Sequence, residues 1–194
     1  MARSASSPAR APRSDVVRNR ERVARAAVAA IHREGLAVPM ATIAADAGVG
    51  VGTVYRHFAT REELLDALTR DSFELMLGHL ERAAAEHERA TEALRAFLTA
   101  VVDDRDEMLL PSTGGPAVTG AETRAVQSRL HGAIRAVLAR GATDGSVRRV
   151  VDVPDIAWLG ATLAQPGRPG PAWAAVCARL LDTYLAGLGV AEEN

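Results

Sequence analysis

Thr53, Tyr55, Arg56 and His57 place two hydroxyls, a guanidinium and an imidazole within five consecutive residues. Each of these groups can donate a hydrogen bond, and the guanidinium is permanently charged. The chemistry on offer is therefore recognition: a grip on phosphate oxygens and on the edges of bases. Just ahead stand Gly48, Gly50 and Gly52. The alternating glycines mimic a nucleotide-binding loop, but no strand signal precedes them and the spacing is wrong for one.

The elements that must position these side chains can be read around them. Ile43 to Phe58, IAADAGVGVGTVYRHF, reads as a short helix, a glycine turn and a second short helix. That is the layout of a helix-turn-helix, whose second helix enters the major groove of DNA. Gly48 permits the positive φ of a tight turn, and Gly52 lets the second helix approach closely. Val54 and Phe58 are expected in the core. Thr60 followed by Glu63 forms a capping box that starts the next helix.

Ile43-Ala-Ala-Asp-Ala-Gly-Val49, Gly52-Thr-Val-Tyr-Arg-His-Phe58 and Thr60-Arg-Glu-Glu-Leu64 together resemble the DNA-binding domain of TetR-type transcriptional regulators. The resemblance covers about residues 15–65 and is architectural beyond them. It implies that Gly50, Val51, Gly52 and Thr53 form the leading part of the recognition helix. Tyr55 and His57 look like the family's phosphate contacts, and Arg56 would reach a phosphate or a guanine. Arg61 stands where the family usually has a Lys that holds backbone phosphate. One departure is visible: many relatives carry a phosphate-binding Thr at the start of the second helix, where this chain has Pro39 and Met40.

Composition fits such a reading. The chain has 194 residues, 48% apolar but only 4% aromatic, and the core must be Ala, Leu and Val. Strong helix formers and few strand signals predict an all-α protein. The expected plan is a three-helix head and a larger helical domain, about nine helices in all. Residues 1–60 carry a net charge of +5 and residues 61–194 carry −6. A basic first third on an acidic body suits a nucleic-acid-binding end. All 23 basic residues are Arg, which also fits simple coding bias.

The expected divisions are a disordered basic arm at 1–13, a DNA-binding unit at 14–60, and a ligand-binding and dimerisation unit at 61–194. Ser14 or Asp15 would cap the first helix, with Val17, Ala24, Ala27, Val28 and Ile31 inward. A single cysteine, Cys177, excludes a disulfide within one chain and any cysteine metal cluster. The five histidines show no metal spacing, and His79 and His87 are expected to be solvated. No metal or other cofactor is expected. No segment approaches the length of a membrane span, no secretory signal is seen, and a cytoplasmic location is expected.

The resemblance implies a ligand cavity in the body. Candidate walls are Phe73, Phe97, Val101, Met108, Leu109, Leu130, Ile134 and Trp158. The last two helices resemble the family's dimer interface, with Ile156, Leu159 and Leu163 on one. Trp173, Val176, Leu180, Leu181, Tyr184 and Leu188 lie on the other. Such a stripe could equally be internal core. The expected function is a homodimeric repressor that binds a palindromic operator in double-stranded DNA and is released by a small-molecule effector. The alternatives are a helical small-molecule binder or a dimer scaffold without DNA binding. An enzyme is not expected, because no nucleophile–base pair clusters in the sequence.

Overall fold

The computed structural model describes residues 13–148, 150–165 and 170–189. Among them it contains eight α-helices, two 3-10 turns and no strand. The all-α expectation holds, with eight helices rather than about nine. Residues 1–12, which make up nearly all of the expected basic arm, lie outside the described residues.

The head is built from α1 (Arg13–Glu34), α2 (Met40–Asp46) and α3 (Val51–His57). Val23, Ala27 and Ile31 of α1 pack with Val38, Ile43, Val54 and Phe58. Two expectations fail at the start of α1. Ser14 and Asp15 lie within α1 instead of capping it. Val17 is 54% exposed, because the first α1 side chain that the core buries is Val23.

The body holds α4 (Arg61–Glu86), α5 (Ala90–Asp103), α6 (Ala121–Asp144), α7 (Val153–Leu163) and α8 (Gly170–Leu188). Two 3-10 turns, Arg105–Glu107 and Pro111–Thr113, lie between α5 and α6. Thr60 starts α4: its hydroxyl accepts from the Glu63 N–H at 3.1 Å. The Glu63 carboxylate reaches back to the Ala59 N–H at 2.9 Å, one residue earlier than in the expected box. At α7, Asp152 and Asp155 form a full reciprocal capping box. Residues 166–169, before α8, lie outside the described residues, and Pro171 falls inside α8.

Helix α4 belongs to both halves. Its first turns give Leu64, Ala67 and Leu68 to the head's core, and its later turns give Phe73, Leu77 and Leu80 to the body's. Polar contacts fix its neighbours. The Asp66 carboxylate accepts from the Gly120 N–H at 2.9 Å and the Thr123 hydroxyl at 2.8 Å, capping α6 from the side of α4. A β-carbon on Gly120 would collide with that carboxylate, so a larger residue there would have to displace the Asp66 side chain from the cap. His79, expected in solvent, is buried. Its ring accepts from Arg82 at 2.6 Å through Nδ1, which leaves Nε2 to donate to Asp104 at 2.7 Å. Cys177 is buried and free, and burial pushes its thiol up.

Candidate nucleic-acid interface and effector cavity

Helix α3 divides its seven residues between core and solvent. Val54 is fully buried, as is the capping residue Phe58, whereas Val51 and Tyr55 are 44% and 50% exposed. Gly52 and Arg56 are exposed beside them, and Thr53 and His57 are half-buried. The result is one presented ridge, Val51-Gly52-Tyr55-Arg56, set on a fixed base. Gly48 adopts φ +63°, as the turn demands, and a β-carbon on Gly52 would meet nothing within 4 Å. Gly50 precedes the first turn in extended conformation. Arg56 folds back along α3, donating to the Gly52 carbonyl at 3.1 Å and to the Thr53 hydroxyl at 3.3 Å. Tyr55 has no hydrogen-bond partner among the described residues.

Other arginines of the head build the motif from inside. Arg22 donates to the Ala47 carbonyl at 2.6 Å and to the Gly48 carbonyl at 3.4 Å, closing the turn. Arg33 pairs with Asp46 at 2.8 Å and ties α1 to α2. Arg20 lies 5.4 Å over the Phe58 ring and reaches Asp71 of α4 at 3.5 Å. Arg61 donates to the Leu36 carbonyl at 2.8 Å, fastening the start of α4 to the loop between α1 and α2. Sequence reasoning missed these roles, because an arginine that closes a turn and one that meets phosphate look alike in a sequence. Pro39 is the N-cap of α2 and supplies no side-chain bond, and Met40 behind it is buried. A core side chain thus stands where the resemblance implies a phosphate-binding hydroxyl.

In the body, a cavity of about 500 Å³ lies among α4, α5, α6, α7 and the 3-10 turn at Pro111. Of the candidate walls, Phe73, Phe97, Val101, Leu130, Ile134 and Trp158 are among the residues that line it. Met108 and Leu109 are not. Met108 is buried in the body's core and Leu109 in the head's. The chain is extended at Met108 and again at Leu110, and an extended chain points successive side chains to opposite sides. Leu110 therefore lines the cavity while Leu109 faces the head. Sequence reasoning also missed Gln127, His131 and Arg135, which line the cavity at four-residue intervals along α6. Burial and the neighbouring Arg135 push His131 down from its ordinary value, favouring the neutral ring.

The expected dimer stripe is split. Leu180 is 48% exposed, and Leu159, Trp173, Val176 and Tyr184 are half-buried; Trp158, a cavity residue outside that stripe, is 65% exposed beside it. Ile156, Leu163, Leu181 and Leu188, expected at the interface, are instead buried in their own chain. They are used up where α7 and α8 close over the body's core. Among the described residues no group of His, Cys, Asp or Glu is placed to hold a metal ion. No described helix is long and apolar enough to cross a membrane.

The model of the family "Bacterial regulatory proteins, tetR family" matches residues 24–68. That span runs from the core face of α1 to the last α4 residue in the head's core. A TetR transcription regulatory protein from Mycobacterium vanbaalenii is 30% identical, with 92% of this chain and 99% of that one covered at a TM-score of 0.64. The TetR transcriptional regulator SCO0520 from Streptomyces coelicolor is also 30% identical, with 87% and 97% covered and a TM-score of 0.60. A tetR-family regulatory protein from Rhodococcus RHA1 shares the fold at a TM-score of 0.70 and 21% identity, over 90% and 98% of the two chains. The presented ridge of α3, the turn at Gly48 and these likenesses over nearly the whole chain agree: the protein belongs to the TetR family of bacterial transcriptional regulators.

Proposed function

We propose that the protein is a homodimeric repressor that binds a palindromic operator and releases it when an effector fills the body cavity. The observation that carries the reading is the ridge on α3. An exposed valine, a bare glycine, a tyrosine and an arginine stand on a helix whose other side is locked in the core. A helix presented in this way fits the major groove, with Tyr55, Arg56 and His57 toward the backbone and Val51, Gly52 and Thr53 toward base edges. Gly50 leads the helix in, and Arg61, which fastens the start of α4 to the Leu36 carbonyl, is assigned a backbone phosphate in this reading. Residues 14–60 form the DNA-binding unit in this reading, and 61–194 the effector-binding and dimerisation unit.

Two heads must sit about 34–36 Å apart to enter successive major grooves on one face of DNA. Trp158 and Leu180, large and exposed on α7 and α8, are suited to a four-helix contact between two chains. An effector that binds better to a dimer with wrongly spaced heads shifts the population away from DNA. Selection of bound fragments from random-sequence DNA tests the reading. It predicts recovery of a palindrome bound by two chains. Recovery of no consensus, or of a non-repeated site bound by one chain, would overturn it.

A further inference from the structure

The cavity's polar groups are not scattered. Gln127, His131 and Arg135 sit four residues apart and so share one face of α6. None of the three has a hydrogen-bond or ion-pair partner among the described residues. Ser112, on the 3-10 turn at Pro111, adds a hydroxyl to the lining. No Asp or Glu is among the lining residues. Asp155, on the same stretch of α7 but not among the lining residues, accepts the Asp152 N–H at 2.9 Å. The remaining wall is apolar, with Phe73, Phe97, Leu130 and Ile134 all nearly fully buried. A largely apolar chamber of about 500 Å³ thus carries, on one helix face, half-buried and exposed donors that no protein acceptor among the described residues engages. That volume lies within the usual range of small-molecule sites.

We infer that the effector is an amphiphile with an apolar body and one anionic head group, a carboxylate or a phosphate, and that Arg135 and His131 receive the head while Gln127 orients it. The inference rests on the reading that the cavity is the effector site. An arginine fork matches two oxygens of such a head. A cationic head would meet Arg135 without a carboxylate to offset it. A neutral head would leave the guanidinium's charge unused. The exposed position of Arg135 at the rim places the head near the mouth and sends the body inward, toward Phe97 and Ile134.

Calorimetric titration of the full chain with ten-carbon probes below their micelle thresholds tests the assignment. The probes are decanoate, decyl phosphate, decanol and decyltrimethylammonium. At least one anionic probe is expected to bind roughly tenfold or more tighter than decanol, the scale of a charge-assisted hydrogen bond, and the cation weakest of all. In Arg135→Gln/His131→Gln that preference collapses to within about threefold, while decanol affinity is unchanged. Arg135→Lys restores part of it, which a merely structural role would not do. Whichever anion binds tighter identifies the head as carboxylate or phosphate. Equal binding of alcohol and anions, a preference that survives the double substitution, or no binding by any probe overturns the inference. Operator selection without ligand is read separately. Palindrome binding with no anion preference sinks only this inference, and anion preference without DNA binding sinks only the DNA reading.

Discussion

Leu109 and Leu110 share a peptide bond but not a core. Leu109 is 3% exposed within the head's cluster, and Leu110 is 5% exposed within the body's, where it forms part of the cavity wall. The Leu109 N–H is held at 2.9 Å by the Ser72 hydroxyl, which itself donates to the Leu68 carbonyl of α4 at 2.8 Å. A displacement of the cavity wall at Leu110 therefore reaches the head through one residue and its anchor on α4. Helix α4, which contributes to both cores, is one route between them. The extended segment at Met108–Leu110 is a second route beside it.

Leu109→Ala tests that route. Removing the side chain leaves the cavity lining intact and should cost about 2–4 kcal/mol of stability. Decanoate affinity should stay within about twofold, while the ratio of operator affinities without and with decanoate falls several-fold, on the scale of about 1 kcal/mol of coupling. Leu109→Met, which refills the space, should restore the ratio. A ratio unchanged in Leu109→Ala would leave the coupling to α4 alone.

The arginines of the head divide into two groups with different salt signatures. Arg56→Gln removes a charge from the presented ridge and should lower the slope of log affinity against log salt by about 1. Tyr55→Phe removes a neutral donor, so operator affinity should fall by about 1 kcal/mol with the slope unchanged. Arg22→Ala should leave the slope nearly intact but cost about 1–3 kcal/mol of stability, because the Ala47 and Gly48 carbonyls lose their donor. Salt-dependent gel shifts and urea unfolding separate the three. A full unit lost from the slope in Arg22→Ala would place Arg22 on the DNA instead.

Much of the head could be read in advance because its signals are local. The φ of Gly48, the Thr60 cap and the bounds of α3 follow from residues within a turn or two of each other. The body yielded less. Six cavity residues were found because large apolar side chains on helices α4 to α7 must converge somewhere. Leu109 was misplaced because its side of the chain depends on a non-helical segment whose alternation has no helical period. The α6 polar face was missed although its four-residue spacing was visible, since solvated side chains follow the same spacing. The inner half of the α7–α8 stripe was misassigned because an apolar stripe does not say whether its own chain or another covers it.

Asp144 gives the fold a pH-dependent tie. Its carboxylate accepts from the Ser146 N–H at 2.7 Å and from the Ala90 N–H at 2.9 Å, joining the end of α6 to the start of α5. The hydrogen bonds from Ser146 and then Ala90 hold its pKa below the ordinary carboxylate value. A depressed folded pKa means stability that is present above the unfolded value near 3.8 and lost as pH falls through the lower folded value. Asp144→Ala should cost about 0.5–1 kcal/mol at pH 7, the low end for an exposed cap. The difference from the unsubstituted chain should close below pH 3.8. Parallel urea titrations at neutral and acid pH read it, and a gap of constant size would remove the charge from the account.

Leu180 is the position at which the dimer reading is most exposed to test. It sits on the solvent side of α8 while Leu181 beside it is buried, so a substitution there need not disturb the protomer's core. Burying a leucine against a second chain contributes about 1.5–3 kcal/mol per copy, and a twofold contact counts it twice. Leu180→Glu replaces that gain with two like charges facing each other across the axis. The chain should then run as a monomer in sedimentation at micromolar concentration, with its helical content retained by circular dichroism. Operator affinity should fall sharply, because each head alone reads half a site. Leu180→Ala, which shortens the contact without charge, should weaken the dimer less. A dimer that persists in Leu180→Glu with unchanged operator binding would move the interface away from this face of α8.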